Sequence, residues 1–180
     1  MRYYHRYMKI LAIPAAILLS LVAFTSCGKL ESLPPEPYIE YTSFTVFDTL
    51  DQLGNQVRTG RLKFYFEDGD GDVGLNAPEG TEEADTINLF IELFRMEDGE
   101  SIPAPEIDPY RVKGFRIPYM ERVGRNKILR GDISVDFSYY ENSAEDSILY
   151  DFYIRDRAGN ISNTESTSVI PVFYPGVYAE

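Results

Sequence analysis

From Tyr38 onward apolar residues recur at every second position, and no stretch keeps the 3.6-residue period of a helix. This pattern narrows the fold more than any other feature of the chain. A period of two is the signature of a pleated strand with one face buried. Leu62, Phe64 and Phe66 alternate with Lys63, Tyr65 and Glu67. Ile133, Val135, Phe137 and Tyr139 share one face of a later run, and Ile148, Tyr150, Phe152 and Ile154 share one face of the next. Ile87–Arg95 is apolar on both faces, which predicts a more central strand. In Tyr38–Phe47 the phase slips by one residue between Tyr41 and Phe44, which predicts a bulge or a switch of sheet. Further strands are expected over Tyr110–Tyr119 and Thr167–Phe173, with a hairpin turn at Gly124-Arg125-Asn126 and Pro171 marking an edge. The sum is an all-β, antiparallel β-sandwich of about seven strands occupying 38–180.

The passage Tyr150-Asp-Phe-Tyr-Ile-Arg-Asp-Arg-Ala-Gly-Asn-Ile-Ser resembles the strand F to strand G passage of immunoglobulin-like and fibronectin III-like domains. That resemblance implies an immunoglobulin-like sandwich with Tyr150 as a tyrosine-corner residue. The chain has no Trp and a single Cys, so the disulfide-and-tryptophan core of antibody domains is excluded.

The N-terminus reads as an address. Arg2, Arg6 and Lys9 precede an apolar run, Ile10–Phe24, too short for the ~20 residues of a transmembrane helix and suited to a signal peptide. Phe24-Thr-Ser-Cys27-Gly resembles a lipobox, which implies cleavage after residue 26 and lipidation of Cys27. Multiple acyl chains on Cys27 make a stable membrane tether. Residues 27–37 carry three prolines and read as an extended spacer. The expected location is the cell envelope, lipid-anchored at the outer membrane. An uncleaved anchor helix is the alternative. The whole mature chain also resembles small envelope lipoproteins of gut Gram-negative anaerobes, a family of unassigned function. The shared features are a Phe-x-Asp-Gly-Asp-Gly-Asp-x-Gly stretch (Phe66–Gly74) and an Arg-Ala-Gly-x-x-Ser-Asn ending (Arg157–Asn163).

Charge and residue inventory then exclude whole classes of function. The 180 residues carry 17 bases against 29 acids, a net of −12. Loss of Arg2, Arg6 and Lys9 with the signal makes it more negative, so no nucleic-acid partner is expected. The one His is His5 and the one Cys is Cys27, which leaves the domain without Ser-His-Asp, Cys-His or Cys/His zinc chemistry.

Glu67-Asp68-Gly-Asp70-Gly-Asp72-Val-Gly74 places acids on alternate residues with glycines between them, a pattern able to curl around a hard cation. Asp68, Asp70, Asp72 and Glu79 are the candidate calcium ligands. Val73 at the sixth loop position and Pro78 before Glu79 exclude an EF-hand. The alternative is a solvated acidic loop whose Asp side chains cap turns. Arg111, Lys113, Arg116, Arg122, Arg125, Lys127 and Arg130 form a basic cluster, read either as a docking face or as a charged outer strand face. Tyr119, Tyr139, Tyr140, Tyr174 and Tyr178 offer sugar-stacking surfaces or ordinary packing. Thr49, Thr86 and Ser147, each after an Asp and before an apolar residue, resemble the O-glycosylation sites of exported proteins in such anaerobes.

The expected function is a membrane-anchored, non-catalytic binding or interaction module, with calcium as a stabilising cofactor and a protein or glycan partner. The alternatives are a structural or assembly subunit of a surface fibre or transport complex, and a carboxylate-based glycoside hydrolase.

Overall fold

The computed structural model describes residues 32–77, 87–121, 127–139 and 147–179. Leu33–Glu180 forms one compact unit. The signal segment, Cys27, Glu79, Thr86, the Gly124–Asn126 turn and Tyr140 lie outside the described residues.

Among the described residues there are ten strands: β1 (Tyr38–Leu50), β2 (Gln56–Asp68), β3 (Leu89–Glu97), β4 (Glu100–Pro103), β5 (Gly114–Phe115), β6 (Leu129–Tyr139), β7 (Ser147–Ile154), β8 (Glu165–Ser166), β9 (Ile170–Pro171) and β10 (Gly176–Tyr178). One sheet has the order β10-β1-β2-β6 and the other β4-β3-β7-β8, with β5 beside β3 and β9 beside β7. All pairings between these strands are antiparallel. The two antiparallel sheets enclose one shared core, which makes the unit a β-sandwich.

The five longest strands follow the alternation of the sequence. Ile39, Tyr41, Phe44 and Val46 are all buried, and the register shift between Tyr41 and Ser43 is the bulge that keeps them on one face. The core is aromatic and drawn from both sheets. Phe44 stacks on Tyr150 at 5.9 Å, Phe137 on Tyr150 at 4.8 Å, and Phe64 meets Phe152 at 5.2 Å. Gly60 in β2 makes room for this packing, because a Cβ there would strike the Phe44 ring and come within 2.7 Å of Tyr139. Tyr150 is a core residue and not a tyrosine corner. Its hydroxyl lies 3.1 Å from that of Tyr139 and donates to the distant Tyr110 carbonyl at 3.4 Å. Burial raises both phenols above their usual pKa.

The strand count exceeds seven because the edges of the second sheet are divided and β10 adds an edge strand to the first. One side of β3 is shared by β4 and β5, and one side of β7 by β8 and β9. Tyr110–Tyr119, expected as one strand, contributes only Gly114–Phe115. Gly114 passes so close to the Leu89 carbonyl that only a glycine fits, and Pro109 and Pro118 bracket the segment. Thr167–Phe173 likewise shrinks to Ile170–Pro171, where Pro171 holds the edge position expected of it. Arg95 and Asp108 close the β4–β5 excursion with a two-pronged ion pair at 2.7 and 2.8 Å.

The first edge of the β10-β1-β2-β6 sheet is sealed by the C-terminal segment. Asn163 Oδ1 accepts the Ile39 N–H, Glu165 Oε2 accepts the Tyr41 N–H, and β10 pairs with Phe44–Val46.

Candidate metal centre

Strand β2 ends at Asp68 and β7 ends at Ile154, each at the end of its sheet where β1 and β3 begin. The turn after β2 and the turn after β7 therefore meet. Asp68, Asp70 and Asp72 from the first turn converge with Asp156 from the second, each offering a carboxylate oxygen within 4.8 Å of the others.

Each turn is built by its own side chains. Asp68 Oδ2 accepts the N–H of Asp72 at 2.7 Å and of Val73 at 2.8 Å, which curls the loop back over its own first carboxylate. Gly71 and Gly74 have φ of 69° and 100°, values that glycine adopts without strain. Val73 is fully buried and anchors the loop from below. In the second turn the Asn160 N–H and side-chain amide donate to the two oxygens of Asp156, each at 2.8 Å. Arg157 ties the turns together: its guanidinium donates to the Gly74 carbonyl at 2.6 Å and its backbone N–H to the Asp72 carbonyl at 3.4 Å. The same guanidinium lies 5.0 Å from the centre of the Tyr119 ring.

The electrostatics of this corner are unfavourable to the bare carboxylates. Asp68 is 1% exposed, and its Oδ1 has no hydrogen-bond partner. Burial pushes its carboxyl above the usual range, against the two backbone N–H bonds that lower it. Burial also raises Asp72, with the charges of Asp156 and Asp68 adding to the effect and Arg157 opposing it. A buried polar oxygen left unmatched costs on the order of 1–3 kcal/mol. The arrangement can hold a metal ion. Its ligands are all oxygen, which suits hard cations and not the nitrogen- and sulfur-preferring transition metals.

Asp68, Asp70 and Asp72 are the residues expected from the sequence. Asp156 was not: its Asp-Arg-Ala-Gly-Asn setting reads as a turn, and no spacing connects it to Asp72 before the fold does. Thr49 is exposed at the end of β1, while Ser147 is half-buried at the start of β7 opposite Pro171. Of the basic cluster, Arg111 donates to the Ala104 carbonyl, Arg116 donates to the Leu75 and Asn76 carbonyls, and Arg130 lies 3.9 Å from Glu67. Arg111 and Arg116 thus serve loop backbones. Tyr139 is core, whereas Tyr119 and Tyr174 are exposed.

No protein-family model, curated protein or solved structure matches the chain.

Proposed function

We propose that the chain is a non-catalytic binding module of the cell envelope, lipid-anchored through Cys27, whose sandwich is completed by calcium at Asp68, Asp70, Asp72 and Asp156. The observation that carries the cation reading is the unmatched, buried Asp68 Oδ1 in a group of four carboxylates. Calcium takes six to eight oxygens at flexible geometry. Four carboxylates supply the first of these, with carbonyls and water for the rest. The module reading rests on a small sandwich without His or Cys beyond residue 27, with its partner a protein or a glycan.

The raised Asp68 and Asp72 carboxyls also bear on the hydrolase alternative, because paired acids of shifted pKa are what such chemistry uses. Burial argues against it: Asp68 is 1% exposed, so of that pair only the half-buried Asp72 is open to a sugar. The assembly-subunit reading is favoured by one observation. Strand β6 pairs with β2 alone among the described residues, leaving its other side for strand addition.

The test is calorimetric titration of calcium into the detergent-solubilised full chain, beside thermal melts in calcium and in chelator. One ion per chain is expected, together with an upward melting shift that Asp70→Asn and Asp156→Asn each diminish. No heat and no shift would overturn the cation reading.

A further inference from the structure

The metal centre sits where the chain enters the domain, and the two are in direct contact. Gly69 lies between two of the candidate ligands, Asp68 and Asp70. Its α-carbon faces the backbone of Leu33 and Pro34 so closely that a Cβ would fall on the Pro34 and Leu33 carbonyl oxygens. Gly69 has no positive φ, so close approach and not backbone conformation explains the glycine. Leu33 is half-buried and Pro37 is buried, whereas Ser32 and Pro34–Glu36 are exposed. Beyond Pro37 the chain is fixed independently of the loop: Tyr38 pairs with Glu67, and Asn163 holds both the N–H and the carbonyl of Ile39.

We infer that the cation site is a seat for the entering chain: an ion bound by Asp68, Asp70, Asp72 and Asp156 holds the Gly69 backbone where Leu33 and Pro34 rest on it. This rests on the cation reading above. The support is geometric and electrostatic. The four carboxylates repel one another at these separations, and one of them is buried with an unmatched oxygen aimed at no N–H. Without a cation the repulsion loosens the Asp68–Asp72 turn against the Asp72 and Val73 N–H bonds that hold it, and Gly69, between two of the carboxylates, lies in the segment that moves. With a cation the turn closes and presents a flat backbone surface, without a side chain, to Leu33–Pro34. Calcium thereby determines whether residues 33–36 lie on the domain or leave it.

Hydrogen exchange read by mass spectrometry on the detergent-solubilised full chain tests this, using a peptide that spans Lys29–Tyr38. Its Leu33 and Glu36 amides lie beyond the first two residues and keep their label. Calcium is expected to slow their exchange by about tenfold or more relative to chelator, the mark of a locally closed segment. Gly69→Ala keeps all four carboxylates and fills the seat. It is expected to bind calcium with unchanged stoichiometry while the peptide exchanges at the chelator rate. If Gly69→Ala does not fold, the parent decides alone: exchange of the peptide that is equally slow in chelator and in calcium overturns the seat. Calcium binding to the parent without slowed exchange overturns the seat alone. Calcium-dependent protection that survives Gly69→Ala also overturns it. An absence of calcium binding in the titration overturns the cation reading, and the seat with it.

Discussion

Replacing Asp68 by Asn is expected to stabilise the protein when calcium is removed and to cripple its response when calcium is added. The side chains have the same shape. The Asn carbonyl oxygen inherits the Asp72 and Val73 N–H groups, which lie 2.7 and 2.8 Å from Asp68 Oδ2. The amide nitrogen takes the place of Oδ1, which has no hydrogen-bond partner, and donates toward the neighbouring carboxylates. One of four converging charges disappears. A buried polar atom left unmatched costs about 1–3 kcal/mol, which is the amount the substitution recovers. For a unit of this length that is a melting temperature higher by ~3–10 °C in chelator. In calcium the variant's advantage shrinks. The parent gains about 2.7 kcal/mol at a hundredfold excess over its dissociation constant, and the variant, short of one ligand, gains less. Asp68→Ala, by contrast, strands both N–H groups and is expected to be weaker than the parent in either buffer. Circular dichroism melts of the three proteins, each with calcium and with chelator, measure all of this. An Asp68→Asn protein that melts below the parent in chelator, or that keeps the parent's full calcium shift, would refute the reasoning.

The calcium-induced melting shift is expected to shrink as the pH is lowered from ~7 toward ~4. Asp68 and Asp72 are raised in the fold, so their contribution to stability is present below the usual carboxylate range and is lost as pH rises through the folded values. Cation binding needs both ionised, and protons compete with it; a shift that held constant or grew in acid would contradict this. Gly60→Ala drives a Cβ into the Phe44 ring and against Tyr139 and is expected to cost about 1–3 kcal/mol, read as a lower urea midpoint. Arg95→Ala leaves Asp108, 5% exposed at its side chain, without its two-pronged partner. A loss of about 3–5 kcal/mol is expected by the same denaturation assay, and a loss below 1 kcal/mol would show that water replaces the guanidinium.

The long strands were legible because a pleat converts spacing into burial. Leu62, Phe64 and Phe66 reach the core for the same reason that Lys63, Tyr65 and Glu67 do not. Even the bulge was legible, since an extra residue between Tyr41 and Phe44 is what a phase slip means. Strands β5, β8 and β9 were not, because two residues cannot display a period of two. Tyr110–Tyr119 shows an alternating pattern that the close approach of Gly114 to Leu89 and the flanking prolines override. The site divided in the same way. Three carboxylates sit on alternate residues of one turn and announce themselves locally. Asp156 comes from the other sheet, and only the packing of the two sheet ends brings it to the loop. The fourth candidate that the sequence offers, Glu79 at the twelfth loop position, lies outside the described residues.

The sealing of β1 by Asn163, Glu165 and β10 has a consequence in time. Synthesis runs from the N-terminus, and β1 and β2 can pair as soon as Asp68 has emerged. The groups that cover the other side of β1 come from Asn163 to Tyr178. At ribosomal speeds the interval is on the order of 10 s. Throughout it a strand long enough to recruit a neighbour's backbone stands open, held off from aggregation by whatever accompanies the nascent chain. Removing the last five residues would extend that interval indefinitely for Phe44–Val46, so a protein truncated before Gly176 should fail in the cell through aggregation even where its core could still form.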